Sequence, residues 1–367
     1  MEMLDYLIFA RRSLHKIPEL FHQEFLTQKF ITEQLDSFKI KYKTIKTAVI
    51  ADIDGIDKKT RLAFRADMDA LPIAEQNQAD YKSIHDGMMH ACGHDGHMAM
   101  LLGLARYLAY NKPAVNVRLI FQPAEECQGG AEMLIEKGAL KDVDAIFGLH
   151  LSPEYPIGTI ATDAGAIFAG ACDFYIIFEG KSGHCADYQK YIDAIRAGNE
   201  FYNQAHNLYK SKHQANSLFH IGKITGGSAS NIVADYARYD CTYRFFDEAQ
   251  QEDFMMRLED ILIEIQKQTG ASHRVVVENY YPPLVNSTHI VQMLKRKFEI
   301  VQARPKYTAE DFAYYLKKVS GAFAWLGVGD ERHTAPLHSP EFDFDEKALL
   351  TGLNYYIKIA QNYLLEE

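Results

Sequence analysis

Apolar residues recur at helical spacing over residues 24–38, which predicts an amphipathic helix, and the short apolar runs at 47–53 and 61–66 predict strands. A second helical pattern follows Asp95, with Met98, Leu101, Leu102, Ala105 and Leu108 on one face and Asp95 standing as its cap. Residues 117–121, Val-Arg-Leu-Ile-Phe, form a short apolar run that reads as a buried strand. A helix is expected over 130–137, and a strand over 143–149 that ends at His150. This alternation predicts α/β layering around a mixed, largely parallel sheet.

Near residue 170 the pattern changes. Strands at 172–178, 217–224, 236–246 and 273–278, with helices at 191–209 and 248–268, spell β-α-β-β-α-β. That order suits a ferredoxin-like domain set into the first. Pro282-Pro283 marks the return, and 284–367 regains the helix, strand, loop and helix needed to complete the first sheet. The expected division is therefore 1–168 with 280–367 as one domain and 169–279 as the insertion.

Composition narrows the class. At 367 residues the chain exceeds what one core usually supports, which agrees with two domains. Its formal net charge of −10, with no offsetting basic cluster, argues against nucleic acid or an anionic membrane surface as partner. The first five residues are acidic and lead into no signal-like apolar core, and no run of eighteen apolar residues occurs, so a cytoplasmic protein is expected. The five cysteines lack C-x-x-C spacing and suit reduced thiols better than a disulfide framework.

Two segments concentrate the chemistry: His90-Ala91-Cys92-Gly93-His94-Asp95-Gly96-His97 and Gln122-Pro123-Ala124-Glu125-Glu126. Either Cys92 or His94 alone reads as an ordinary packed side chain. So many polar groups within eight residues do not, because each would need its own buried partner. Cys92 and His94, two apart, cannot share a helix face, so a glycine-bearing turn must present them. Glu125 and Glu126 follow a strand, at the edge where open α/β sheets gather ligands, and adjacent carboxylates allow one to bind metal while the other moves protons. His150 and His338 are individually weak candidates. With Cys92, His94 and Glu126 they make five donors, enough for two metals that share one ligand. Asp67 and Asp69 follow a strand and could orient a metal-bound histidine, or could form a surface turn. In the insertion, His184 lies in a glycine-flanked loop. Asn231 and Arg244 offer an amide and a guanidinium that could grip a carboxylate, although Arg244 equally reads as a strand-face charge.

Taken together, Arg65-Ala66-Asp67-Met68-Asp69-Ala70-Leu71-Pro72, His90 to Asp95, Gln122 to Glu126, Gly148-Leu149-His150, the Gly-Gly-x-x-x-Asn ending at Asn231, and Glu310-Asp311-Phe312 resemble the M20 metallopeptidases over nearly the whole chain. The similarity is to the amidohydrolase branch that includes hippurate, indole-acetyl-amino-acid and N-acetyl-amino-acid hydrolases. The resemblance implies a di-metal catalytic domain, a ferredoxin-like lid that mediates homodimerisation, and hydrolysis of an amide in a small N-acyl amino acid. It implies Cys92, His94, Glu126, His150 and His338 as ligands of two divalent ions (zinc, manganese, cobalt or nickel), Glu125 as general base with Asp69 in support, and His184 on the oxyanion. The run from His150 to Thr162 carries a closer likeness to deacetylases of the bacterial lysine pathway. Other N-acyl amino acids, aromatic acyl conjugates, and a metal-dependent binding protein without turnover are the competing readings. One departure stands out: after His184 the family continues Ala-Ala-x-Pro, whereas this chain reads Cys185-Ala186-Asp187-Tyr188.

Overall fold

The computed structural model describes residues 1–127 and 129–363, and the chain divides into two compact units. Unit 1 comprises Met1–Gly165, Val285–Arg304 and the residues from Asp311 onward; unit 2 comprises Ala166–Leu284 and Pro305–Glu310. The junctions fall a few residues from the expected 168 and 280, and the short 305–310 segment joins unit 2 from a distant part of the sequence.

Unit 1 begins with α1 (Met3–His15) and α2 (Phe25–Ser37), then β1 (Tyr42–Ile45), β2 (Ala48–Ile53) and β3 (Asp57–Asp67). α3 (His94–Tyr110), β4 (Val115–Gln122), α4 (Gly130–Glu136), β5 (Ala145–Pro156) and β6 (Ile160–Thr162) follow. Helix α1 was not foreseen, because the buried Arg11 interrupts the apolar stripe made by Tyr6, Leu7, Ala10 and Leu14. Asp95 does not cap α3. Gly93, at φ 87°, holds the cap position, and Asp95 lies fully buried in the first turn, where it accepts from Arg11 Nε and meets His15 Nδ1, each at 2.8 Å. Those partners draw the carboxylate away from the helix amides that a cap would bind.

Unit 2 is introduced by β7 (Gly165–Phe168). It contains β8 (Gly170–Glu179), β9 (Gly183–His184), α5 (Ala194–Leu208), β10 (Ser217–Gly226), β11 (Ile232–Val233), β12 (Tyr236–Phe245), α6 (Glu248–Thr269) and β13 (Ser272–Tyr281). Strands β10, β12, β8 and β13 lie in that order and pair antiparallel throughout. Alternate residues Phe174, Ile176 and Phe178 of β8 turn one face of the sheet to Phe201 of α5 and to Leu258 and Leu262 of α6, burying a core of their own. β9 and β11 form a separate two-stranded ribbon.

The chain re-enters unit 1 through β14 (Leu284–Asn286), α7 (Thr288–Lys297), β15 (Ile300–Gln302), α8 (Phe312–Leu316), β16 (Ser320–Gly329) and α9 (Ala348–Asn362). An eight-stranded sheet results, in the order β1-β2-β4-β3-β5-β16-β6-β15. Its centre, β4-β3-β5-β16, is parallel, whereas β1, β2 and the β16–β6 pairing are antiparallel. Central strands buried on both faces explain their unbroken apolar runs. The four central strands therefore deliver their C-terminal ends to one edge of the sheet.

Candidate metal centre

That edge gathers the chemistry. β3 ends at Asp67, β4 runs out at Gln122 just before Glu125, β5 carries His150, and α3 opens at His94. The His338 loop is tied to the Cys92 loop by the His338 amide, which donates to Ala91 O at 2.9 Å. Cys92, His94 and His150 offer donor atoms within 4.8 Å of one another, and so do Cys92, Glu126 and His338. Cys92 Sγ lies 3.3 Å from both His150 Nε2 and His338 Nε2, so the thiol belongs to both triads.

The hydrogen bonds around the histidines leave the right atoms over. His94 Nδ1 donates to Asp69 O at 2.8 Å, which leaves Nε2 turned inward. Nε2 is buried with no hydrogen-bond partner, ringed instead by carboxylate oxygens of Asp67, Glu125 and Glu126 at 3.8–3.9 Å. His150 Nδ1 likewise donates to Leu151 O at 2.8 Å and turns Nε2 to Cys92. A buried imidazole nitrogen without a hydrogen-bond partner, facing several carboxylates and a thiol, is an arrangement a divalent cation satisfies once it displaces the imidazole proton, so the donor set fits metal.

The charges behave accordingly. Burial opposes ionisation of His94, but Asp67 and then Asp69 outweigh it and push its pKa up to about 10. Burial, reinforced by Glu126 and Glu125, holds the Cys92 thiol well above its ordinary range. His150, buried beside His97, is pushed down to about 3 and stays neutral. Without a cation the site therefore keeps protons on Cys92 and His94, the two groups a metal would strip.

The glutamate turn is held by three carboxylates. Ala124, at φ 58°, donates its amide to Glu24 Oε1 at 3.1 Å. The amides of Glu125 and Glu126 donate to the two oxygens of Asp69, each at 3.0 Å. Ala131 N donates to Asp311 Oδ2 at 3.0 Å, and Asp311 is fixed in turn by Arg65 and Gln122 at 2.6 Å each. A Cβ on Gly130 would meet Pro123 O at 1.8 Å, so only glycine lets this loop close. Asp69 thus serves twice, through its carbonyl on His94 and its carboxylate under the glutamates. Glu24 gave no signal in the sequence: it precedes α2 among polar residues like any helix-start carboxylate. His15, which also had no visible partner, bridges Asp95 and Glu75 behind α3.

The other predicted residues lie in unit 2. His184 is exposed on the β9–β11 ribbon, opposite Ile232, and its Nδ1 accepts from Ala186 N at 3.2 Å, which places the ring proton on Nε2. Asn231 adjoins it, its carbonyl accepting from Cys185 N at 3.0 Å. Arg244 is not with them. It sits near the far end of β12, about 25 Å of strand away from the ribbon's side of the sheet, and donates to Asp173 Oδ1 at 3.3 Å.

Residues 63–362 match the profile of peptidase family M20/M25/M40. The chain belongs to peptidase family M20. As an M20 protein it is a metal-dependent amidohydrolase. It is 34% identical to an N-acetyldiaminopimelate deacetylase of Exiguobacterium sibiricum, covering 99% of this chain and 100% of that one. It is also 34% identical to an N-acetyl-L-cysteine deacetylase of Bacillus subtilis, over 98% of this chain and 88% of the relative. Among solved structures, a dinuclear metal binding peptidase of the M20 family from Bacillus subtilis superposes with a TM-score of 0.88 at 33% identity, covering 100% of this chain and 99% of that one. The M20 match agrees with the largely parallel central sheet.

Proposed function

We propose that this enzyme removes the acetyl group from N-acetyl-L,L-diaminopimelate, giving L,L-diaminopimelate and acetate, and so serves lysine biosynthesis in the cytoplasm as a homodimer. The observation that carries the chemistry is the buried, unpartnered His94 Nε2 between two triads that share Cys92, with Glu125 beside them. Cys92, His94, Glu126, His150 and His338 would hold two divalent ions, with Cys92 common to both. Ions bound there supply Lewis-acid polarisation of the amide carbonyl and a lowered pKa for attacking water.

The remaining work falls to side chains. Glu125 takes a proton from water as its oxygen bonds to the acetyl carbon, and returns that proton to the departing nitrogen as the C–N bond breaks. Asp69 keeps Glu125 in place through the backbone. To His184 we assign the oxyanion, through its Nε2–H, a role for which one well-placed donor is worth about 3–4 kcal/mol. Asn231 is the candidate for the substrate carboxylate. Arg244, already paired with Asp173, has less support in that role.

Glu125→Gln should keep its metal and lose turnover by about 10²-fold or more. Metal analysis beside initial rates decides it, and a variant keeping more than about a tenth of kcat would remove Glu125 from the mechanism. The N-acetyl-L-cysteine deacetylase at equal identity supports a second reading, the same reaction on another N-acetyl amino acid. A site built for the distal amino-acid group of diaminopimelate should prefer it over N-acetyl-L-cysteine by up to about 10⁴-fold in kcat/KM, and equal turnover of both would favour the broader enzyme.

A further inference from the structure

His97 is the last polar residue of the His90–His97 cluster, and the reaction leaves it without a role. Its ring is fully engaged. Nδ1 faces Asp67 Oδ1 at 2.6 Å, and Nε2 accepts the Leu151 amide at 2.9 Å. A nitrogen that accepts from an N–H carries no proton, so the Nδ1–H tautomer is fixed and the single lone pair is spent. His97 can therefore not ligate a metal as it stands, although Asp67, His94 and His97 bring donor atoms within 4.8 Å.

The residue whose amide His97 grips is also the one whose carbonyl His150 uses, through the two peptide groups that flank the Leu151 Cα. Leu151 donates its N–H to His97 and accepts the His150 Nδ1–H on its carbonyl, at 2.9 and 2.8 Å. Asp67 is anchored in turn by Arg65 Nη1 at 2.6 Å. A continuous chain results: Arg65, Asp67, His97, the Leu151 backbone, His150. Its last free atom is His150 Nε2, 3.3 Å from Cys92 Sγ. All its members are buried, which removes competing water and makes each link directional.

We propose that His97 is a positioning residue, which sets the tautomer and aim of the ligand His150 through the Leu151 backbone rather than by touching metal or substrate. The proposal rests on the metal role given to His150 above. Its physical basis is the general one by which partners behind a ligating imidazole fix its ring and strengthen it as a donor.

The test uses metal-loaded enzyme, with zinc as the probe. In ¹⁵N-histidine spectra of the wild type, His97 should be the neutral Nδ1–H tautomer; a protonated Nε2 overturns the proposal without any mutation. Among variants, His97→Gln can place an oxygen where Nε2 accepted from Leu151, whereas His97→Phe fills similar space with no acceptor. Zinc affinity, measured against a competing chelator, should fall about 10- to 100-fold in His97→Phe and recover most of that in His97→Gln. Equal losses in both folded variants would reduce His97 to packing against His150, whose ring centroid is 4.6 Å away. If His97→Phe fails to fold, the tautomer and the His97→Gln affinity still decide. Because zinc affinity is read apart from turnover, failure of the hydrolase reading (Glu125→Gln active) and failure of this one are distinguishable.

Discussion

Replacing Asp69 by Asn tests the claim that the glutamate turn is held from below. The carboxylate is 1% exposed and accepts two backbone amides, from Glu125 and Glu126, at 3.0 Å each. The Asn amide keeps one oxygen, which can serve only one of them, and turns an NH₂ toward the other. One bond to a charged acceptor is lost, worth about 1.5–3 kcal/mol, and the surviving bond drops to the neutral range, about 1 kcal/mol weaker. The turn is then less favourable by about 2–4 kcal/mol, which at 1.36 kcal/mol per tenfold corresponds to roughly 30- to 1000-fold in the population with Glu125 in place. The His94 bond survives, because it goes to the Asp69 carbonyl and not to the side chain. The expected outcome is a loss in that range of kcat per bound metal, with a smaller loss of metal through Glu126, measured by initial rates on N-acetyl-L,L-diaminopimelate and by elemental analysis. A kcat per bound metal within about threefold of wild type would refute the reasoning. Metal loss with normal turnover per bound metal would refute it too, by shifting the carboxylate's role to the ligands.

Two further outcomes follow from the protonation of the site. In metal-free protein near neutral pH both Cys92 and His94 hold protons, so loading should release roughly two protons and apparent metal affinity should rise with pH. Calorimetry in buffers of different ionisation enthalpy reads this directly, and no release would contradict it. The raised His94 pKa has the opposite sign for the metal-free fold: its contribution to stability is complete below about 6.5 and is lost as pH rises through about 10, which denaturant midpoints across pH 6–10 should register. Finally, alkylation of chelated native protein should label the exposed Cys185 well before the buried Cys92, and equal rates would show that the Cys92 seat opens without metal.

Most of the proposed ligands stood out because their signals were dense. Cys92 and His94 stood in a cluster too polar for a core, and Glu125 and Glu126 followed an apolar run that had to be a buried strand. The supports were illegible for a physical reason: they act through backbone amides, so the residue they hold can be of any type. Nothing in the residues around Ala124 announces Glu24 as a partner, and nothing at Leu151 announces His97. Arg11 hid α1 by the same logic, since a charge buried among Asp95, Asp343 and Glu346 looks like a break in an apolar stripe. Element boundaries in unit 2 were read closely because its strands alternate between a covered and an exposed face. The short strands β1, β6 and β15 carry too few residues to show any period.

The sheet's discontinuity also sets an order of events during synthesis. β5 takes its second parallel partner from β16, and the Cys92 thiol that faces His150 also faces His338, 188 residues beyond His150. At about 5–20 residues per second a ribosome needs roughly 10 to 40 seconds to cover that interval. Throughout it the nascent β5 edge is unpaired while unit 2, nearly continuous in sequence, can already condense. The catalytic half therefore waits on its own insertion, and its metal centre is among the last features of the molecule to come into being.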